Sequence, residues 1–203
     1  MKKLLLAALI GLNAMSCTDR TAREVYTPQL PPITQTGANT FGAIINGKIM
    51  IPRNSIGYQP PGPNTHYAAK YTETTNYYEF GASNARDNVG IYFYLKRKEY
   101  NTSLPLGNYP FLEGIYYYDP MNQDLPAVMM EVFINDNKVL KTYLSISNTG
   151  SITITRNDSN VISGTFSCKL KNKENPEDII EVKDGRFDFN KQTINTTNFP
   201  YFP

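Results

Sequence analysis

From Thr40 onward, apolar and polar side chains alternate with a two-residue period in one short run after another. That period marks strands with one packed face and one open face. Tyr78, Phe80 and Ala82 alternate with Tyr77, Glu79 and Gly81, and Val89, Ile91, Phe93 and Leu95 alternate with Gly90, Tyr92 and Tyr94, with a turn at 84–88 between the runs. Val128, Met130, Val132 and Ile134 form a further apolar face, and 135–137 turns the chain into a returning strand over 139–147. Ile152 and Ile154 face inward from 151–155, and Ile162, Gly164, Phe166, Cys168 and Leu170 share one face of 161–171. Shorter strands are expected at 115–118, 179–182 and 186–189, and a turn at Gly107-Asn108. The clearest hairpin is 40–52, where Asn46-Gly47 supplies the two positive-φ residues that a type I′ turn demands. No run with helical period stands out after Cys17. The pattern predicts one all-β domain over 40–203, an antiparallel β-sandwich of roughly ten short strands, with a partly open meander β-barrel as the alternative.

The chain opens differently. Lys2 and Lys3 precede an unbroken run of apolar residues and Gly from Leu4 to Leu12, and small residues lead up to Cys17. This is the layout of an export signal, with a core far shorter than the ~20 residues of a membrane-spanning helix. The Cys after small residues resembles the lipobox of bacterial lipoproteins, although Ala14 stands where Leu is favoured three places before it. Residues 1–16 are therefore expected to be a lipoprotein signal peptide, Cys17 the lipid-attachment residue, and 17–39, with Pro28, Pro31 and Pro32, a tether. The expected location is the cell envelope, anchored to the outer membrane through the lipid.

Charge and cysteine content narrow the classes. Lys and Arg number 20 against 18 Asp and Glu, and loss of Lys2 and Lys3 with the signal leaves the mature side chains in balance. No basic footprint for nucleic acid remains. With Cys17 consumed by lipid, Cys168 has no partner for an internal disulfide, and its inward-facing position reads as a small buried hydrophobe.

Thr36-Gly37-Ala38-Asn39-Thr40-Phe41-Gly42, Ile45-Asn46-Gly47-Lys48 and Ile51-Pro52 resemble the opening of an uncharacterised family of Bacteroidetes lipoproteins. Ile162-Ser163-Gly164-Thr165-Phe166 and Asp184-Gly185-Arg186-Phe187-Asp188 continue the likeness, which spans roughly 36–189. Met50-Ile51 stands where members often carry an aromatic. The resemblance implies a structural role for these motifs and supplies no catalytic residue.

The candidate chemistry is sparse. His66 is the single histidine, no G-x-S-x-G elbow accompanies it, and one free Cys builds no zinc cluster. Phosphate-binding and dinucleotide-binding glycine loops are missing from the sequence. Glu79, Glu113, Asp119 and Glu131 lie on or beside aromatic strands and leave a carboxylate-based hydrolase as the alternative activity. The turns 135–137 and 158–160 carry oxygen ligands suited to Ca²⁺, but Asn and Asp in hairpin turns already have a backbone explanation. Arg186 lies on one face with Asp184 and Asp188, and the plain expectation is an ion pair there. The leading site is aromatic: Tyr77, Tyr92, Tyr94, Tyr116 and Tyr118 project from three strands and form a candidate face for stacking on sugar rings. Packing of these tyrosines across strands is the competing reading. The sequence points to a non-catalytic module, without cofactor or metal, that binds a glycan or an envelope protein. A purely structural envelope component would differ only in lacking the ligand face.

Overall fold

A computed structural model describes residues 27–54, 68–97, 103–116, 126–136 and 138–199. The chain forms strands β1 (Thr40–Ile45), β2 (Lys48–Met50), β3 (Ala69–Glu73), β4 (Tyr77–Asn84), β5 (Val89–Lys96) and β6 (Gly107–Pro110). It continues with β7 (Val128–Asp136), β8 (Val139–Ser145), β9 (Ser151–Asn157), β10 (Val161–Asn172) and β11 (Ile179–Asn190), then a single 3-10 turn at Ile194–Thr196. Among the described residues no helix is long and apolar enough to cross a membrane.

The strands make one antiparallel sheet in the order β2-β1-β11-β10-β8-β7-β5-β4-β3. It forks at β10, whose first half pairs with β9 and whose last residues pair with β8, while β6 pairs with the outer edge of β9. The sheet curls into a half-barrel. At one end, the chain leaving β2 reaches the far edge, where Arg53 makes a parallel bridge to Asn84 through Arg53 N–H to Ser83 C=O (3.0 Å) and Ala85 N–H to Arg53 C=O (3.1 Å). At the other end, the Asn195 side-chain amide pairs with both Tyr71 N–H (2.9 Å) and Tyr71 C=O (2.7 Å). One amide thus covers part of the open edge of β3, a position where an unpaired strand would invite another chain.

The alternation read from the sequence decides which face curls inward. Tyr78, Phe80, Ala82, Ile91, Phe93, Leu95, Met130, Val132, Phe166, Cys168 and Leu170 are all buried in one core. Phenylalanines bridge its interior, Phe80 to Phe187 at 4.9 Å and Phe93 to Phe166 at 4.6 Å between ring centroids. Each fully buried ring stabilises the fold by roughly 1.5–3 kcal/mol relative to exposure. Asn46 (φ 45°) and Gly47 (φ 79°) form the expected turn between β1 and β2. Cys168 is buried, and that burial pushes its thiol pKa up.

Two local expectations change, and one strand is added: β3, in which buried Ala69 and Tyr71 alternate with the half-buried Lys70. The expected turn at Gly107-Asn108 is the start of β6, held by pairing with β9. The expected strand at 115–118 is irregular at 115 and 116, and 117 and 118 lie outside the described residues.

Three of the motifs singled out in the sequence, 36–42, 162–166 and 184–188, converge around the buried Asp188, whereas 45–48 turns at the far end of β1. Its carboxylate accepts hydrogen bonds from Thr34 Oγ1, Thr36 N–H and Oγ1, Gly37 N–H, Ala38 N–H and Ser163 Oγ. Burial alone would push its pKa up, but these donors outweigh burial and hold it well below the usual carboxylate range. Arg186 makes no ion pair with either neighbouring Asp, contrary to expectation. Its guanidinium donates to the backbone C=O groups of Asp184 (3.0 Å) and Pro31 (3.3 Å), because the Asp188 lone pairs already serve 34–38. Asn39 completes the knot, its Oδ1 accepting from Asn190 N–H at 2.8 Å. Residues 34–39, expected within the tether, are thus tied to β11.

Candidate functional site

Three of the five candidate tyrosines share the outer face of the half-barrel. Tyr77 stands on β4, and Tyr92 and Tyr94 on β5, where Tyr92 opposes Gly81 and Glu131, and Tyr94 opposes Glu79 and Met129. Tyr94 is 1% exposed and so offers no open ring face to a sugar. It packs with Met129 and Ile115, on a segment that crosses the back of β8. Gly114 permits that crossing, since a Cβ there would lie 2.8 Å from Ser145 N. Tyr92 meets Phe133 edge-on at 5.8 Å, and the Lys70 ammonium lies 5.3 Å from its ring centroid. Tyr116 is elsewhere, beneath Lys173 at 4.6 Å. Tyr118 and Cys17 lie outside the described residues. The face therefore packs much of its own aromatic area, with Tyr77 and Tyr92 half-buried.

Of the carboxylates named from sequence, Glu79 on β4 and the fully buried Glu131 on β7 share the outer face on either side of β5, Glu131 opposite Tyr92 and Glu79 opposite Tyr94, whereas Glu113 lies apart from them. Glu79 is ion-paired with Lys70, and Glu113 with Lys171 on a different strand. Lys171, helped by Ser147 N–H, holds the Glu113 carboxyl below its ordinary pKa. Asp119 lies outside the described residues. In the 158–160 turn, Asp158 Oδ1 accepts from Asn160 N–H (2.9 Å) and Val161 N–H (2.8 Å), which is the backbone role that Asp in a hairpin turn fills.

A polar mouth at one end of the half-barrel was not legible as a site. It is a cleft of about 780 Å³ between the ends of β3, β5 and β9 and the chain after β11. Glu73 organises it. Its carboxylate accepts from the Tyr71 hydroxyl, from Arg97 at 3.1 Å and from Lys191 at 3.4 Å. Arg97 also donates to the Tyr78 hydroxyl (3.2 Å) and stacks on that ring at 4.6 Å, while Lys191 lies 5.5 Å from the Tyr71 centroid. Burial pushes the Glu73 carboxyl up, but the Tyr71 hydrogen bond and the Lys191 and Arg97 charges prevail and lower its pKa. The same burial, with Glu73 alongside, pushes the Tyr71 hydroxyl far above its ordinary value. Asp158 on the opposite rim is held at about 2 by Asn160 N–H, Val161 N–H and Arg156.

The chemistry of this mouth follows from those directions. Both carboxylates are ionised at neutral pH. Glycoside hydrolysis by a carboxyl pair requires one member to keep its proton as general acid. What the mouth offers instead is fixed charge, hydroxyl and amide groups beside the Tyr71 ring, a set suited to hydrogen-bonding a hydroxylated ligand. Sequence reading missed Glu73, Arg97 and Lys191 because they stand on three separate segments with no shared motif. Compared with known proteins, the chain matches no family model, no curated protein and no solved structure.

Proposed function

We propose that this chain is an exported envelope lipoprotein, held to the outer membrane by a lipid on Cys17, that binds a glycan without chemistry of its own. The leader pattern of 1–16 and the likeness to Bacteroidetes lipoproteins support the location. The observation that carries the binding reading is the polar mouth, whose carboxylates Glu73, bonded to Tyr71, and Asp158, on the opposite rim, are both held ionised. Such carboxylates accept hydrogen bonds from sugar hydroxyls and donate no proton to a leaving group. Tyr77 and Tyr92 on the outer face remain a secondary contact surface for a long glycan. An envelope protein as ligand is the second reading, since the half-buried aromatics of that outer face would suit a protein surface equally.

The full chain, purified and applied to an array of bacterial and host glycans, is expected to retain one glycan class and release no reducing sugar. Retention of none would remove the glycan reading and turn the search to protein partners. Released sugar would establish the hydrolase instead. Protease treatment of intact cells, with Cys17→Ala as the unanchored control, checks the anchor separately: Cys17→Ala is expected to leave the membrane fraction.

A further inference from the structure

The opposite end of the half-barrel holds a second cavity, of about 540 Å³, and it differs in kind from the polar mouth. Four turns frame it: those joining β1 to β2, β4 to β5, β7 to β8 and β10 to β11. Its walls are Ile45, Met50, Val89, Ile134, Tyr143 and Ile180, the outermost inward-facing side chains of the core. Ile45, Met50, Tyr143 and Ile180 are 2–6% exposed and Val89 and Ile134 half-buried, so the cavity rests on the closed apolar end of the core. Mouths of β-barrels that accept small molecules combine apolar walls with polar groups that orient the ligand.

The rim is mixed in sign. Lys141 is paired with Asp178 at 3.5 Å, and Asp178 also accepts from Tyr143 at 3.0 Å. Asp87 accepts from Asn84 at 2.8 Å, and Lys48 and Asp136 complete the ring. Three carboxylates against two ammonium groups disfavour a free fatty-acid anion and suit a head that is zwitterionic or uncharged.

Two further features fix the direction from which a ligand would come. Val139 and Leu140, each 60% exposed, form the tip of the β7–β8 hairpin beside the rim, and Ile179, 53% exposed, follows Asp178. Exposed aliphatics at the strand ends on this side of the molecule suit contact with lipid. The N-terminal segment heads the same way. From Ala38 back to Pro31 it follows β11 from Asp188 to Arg186, the direction that leads on to Ile180 and the cavity. Cys17 is ten positions before Thr27, a reach of at most about 35 Å.

We infer that this end of the half-barrel faces the membrane and takes up the acyl chain of a single-chain amphiphile with a zwitterionic or uncharged head. The membrane as source rests on the lipid anchor at Cys17; the cavity as a binding site does not.

The chain contains no tryptophan, so Val139→Trp at the exposed hairpin tip introduces one reporter with little demand on folding. In full-length chain carrying Cys17→Ala and Val139→Trp, monomeric lysophosphatidylcholine is expected to shift the emission to the blue and to saturate at one ligand per chain. Palmitate is expected to bind at least tenfold more weakly. Ile134→Asp, in the wall, is expected to weaken lysophosphatidylcholine at least tenfold, with Val89→Asp as the second variant should Ile134→Asp lose its β-sheet circular dichroism. No saturable shift below the micellar concentration overturns the inference, as does unchanged affinity in a folded wall variant. A blue shift produced by protein concentration alone would assign this end to a second copy and overturn it too. Because Cys17 is replaced throughout, failure of the anchor in cells and failure of this site are read separately.

Discussion

The knot around Asp188 and the mouth around Glu73 each hold an ionised carboxylate against the tendency of burial to protonate it, yet with opposite kinds of neighbour. Asp188 is surrounded by uncharged donors from its own chain, three backbone N–H groups and three hydroxyls, and its lone pairs are fully used. Glu73 is held mainly by two cations and a phenol at the edge of a cleft, and its side chain stays 36% exposed. A carboxylate saturated by fixed dipoles is structural, because no acceptor capacity is left for a ligand. One held by charges at a wet rim keeps capacity that a ligand can use. The difference separates the knot, where 36–42, 162–166 and 184–188 meet, from the mouth, whose residues share no motif.

Asp188→Ala should break the comparison hardest. It strands several buried donors at once, and a loss of about 3–4 kcal/mol in urea unfolding is expected at neutral pH. Because the folded pKa of Asp188 lies below its unfolded value, its contribution is fully present above an unfolded pKa of ~4 and is lost as pH falls further. The gap between wild type and Asp188→Asn should therefore narrow as unfolding is measured from pH 6 toward pH 3. A gap that stays constant would mean that shape, and not the charge, holds residues 34–38 in place.

Glu73→Gln should cost less, about 1 kcal/mol after allowance for solvent screening at a third-exposed carboxylate. The same change removes an acceptor and leaves Arg97 and Lys191 without that shared anion, so retention on any glycan found for the full chain should drop at least tenfold. Thermal unfolding and glycan retention measured on one preparation separate the two effects. Loss of stability comparable to Asp188→Ala, with retention intact, would place Glu73 among the structural groups.

The two regions also differ in how far sequence reveals them. Strands and inward faces were legible because burial follows the two-residue period, as Phe80, Phe93 and Met130 show. The Asn46-Gly47 turn was legible because its backbone requirement is local. The outer-face role of Tyr94 was not, since its cover comes from Ile115, remote in sequence and lacking a strand pattern of its own. Asp188 looked like a partner for Arg186 because both lie on one strand, whereas its donors arrive from 150 or more positions away in Thr34, Thr36, Gly37 and Ala38 and from the neighbouring strand in Ser163. Glu73, Arg97 and Lys191 were invisible for the same reason: only the curl of the sheet brings the ends of β3, β5 and β11 together.

The smallest structural effect, and the sharpest test of the contrast, is expected from Lys191→Gln. Its ammonium stands 3.4 Å from the Glu73 carboxylate and over the Tyr71 ring, and its removal leaves Arg97 and Tyr71 still bonded to Glu73. Unfolding free energy should fall by only about 0.5 kcal/mol, in the range of a partly solvated pair. The Glu73 pKa, followed by carboxyl NMR, should nonetheless rise toward its ordinary value, because Lys191 supplies both a charge and a hydrogen bond to it. A residue that is nearly silent in stability yet moves the electrostatics of the cleft is the signature of a binding rim. If Lys191→Gln instead leaves the Glu73 titration and glycan retention unchanged, then Tyr71 and Arg97 suffice on their own, and the mouth is as self-contained as the knot.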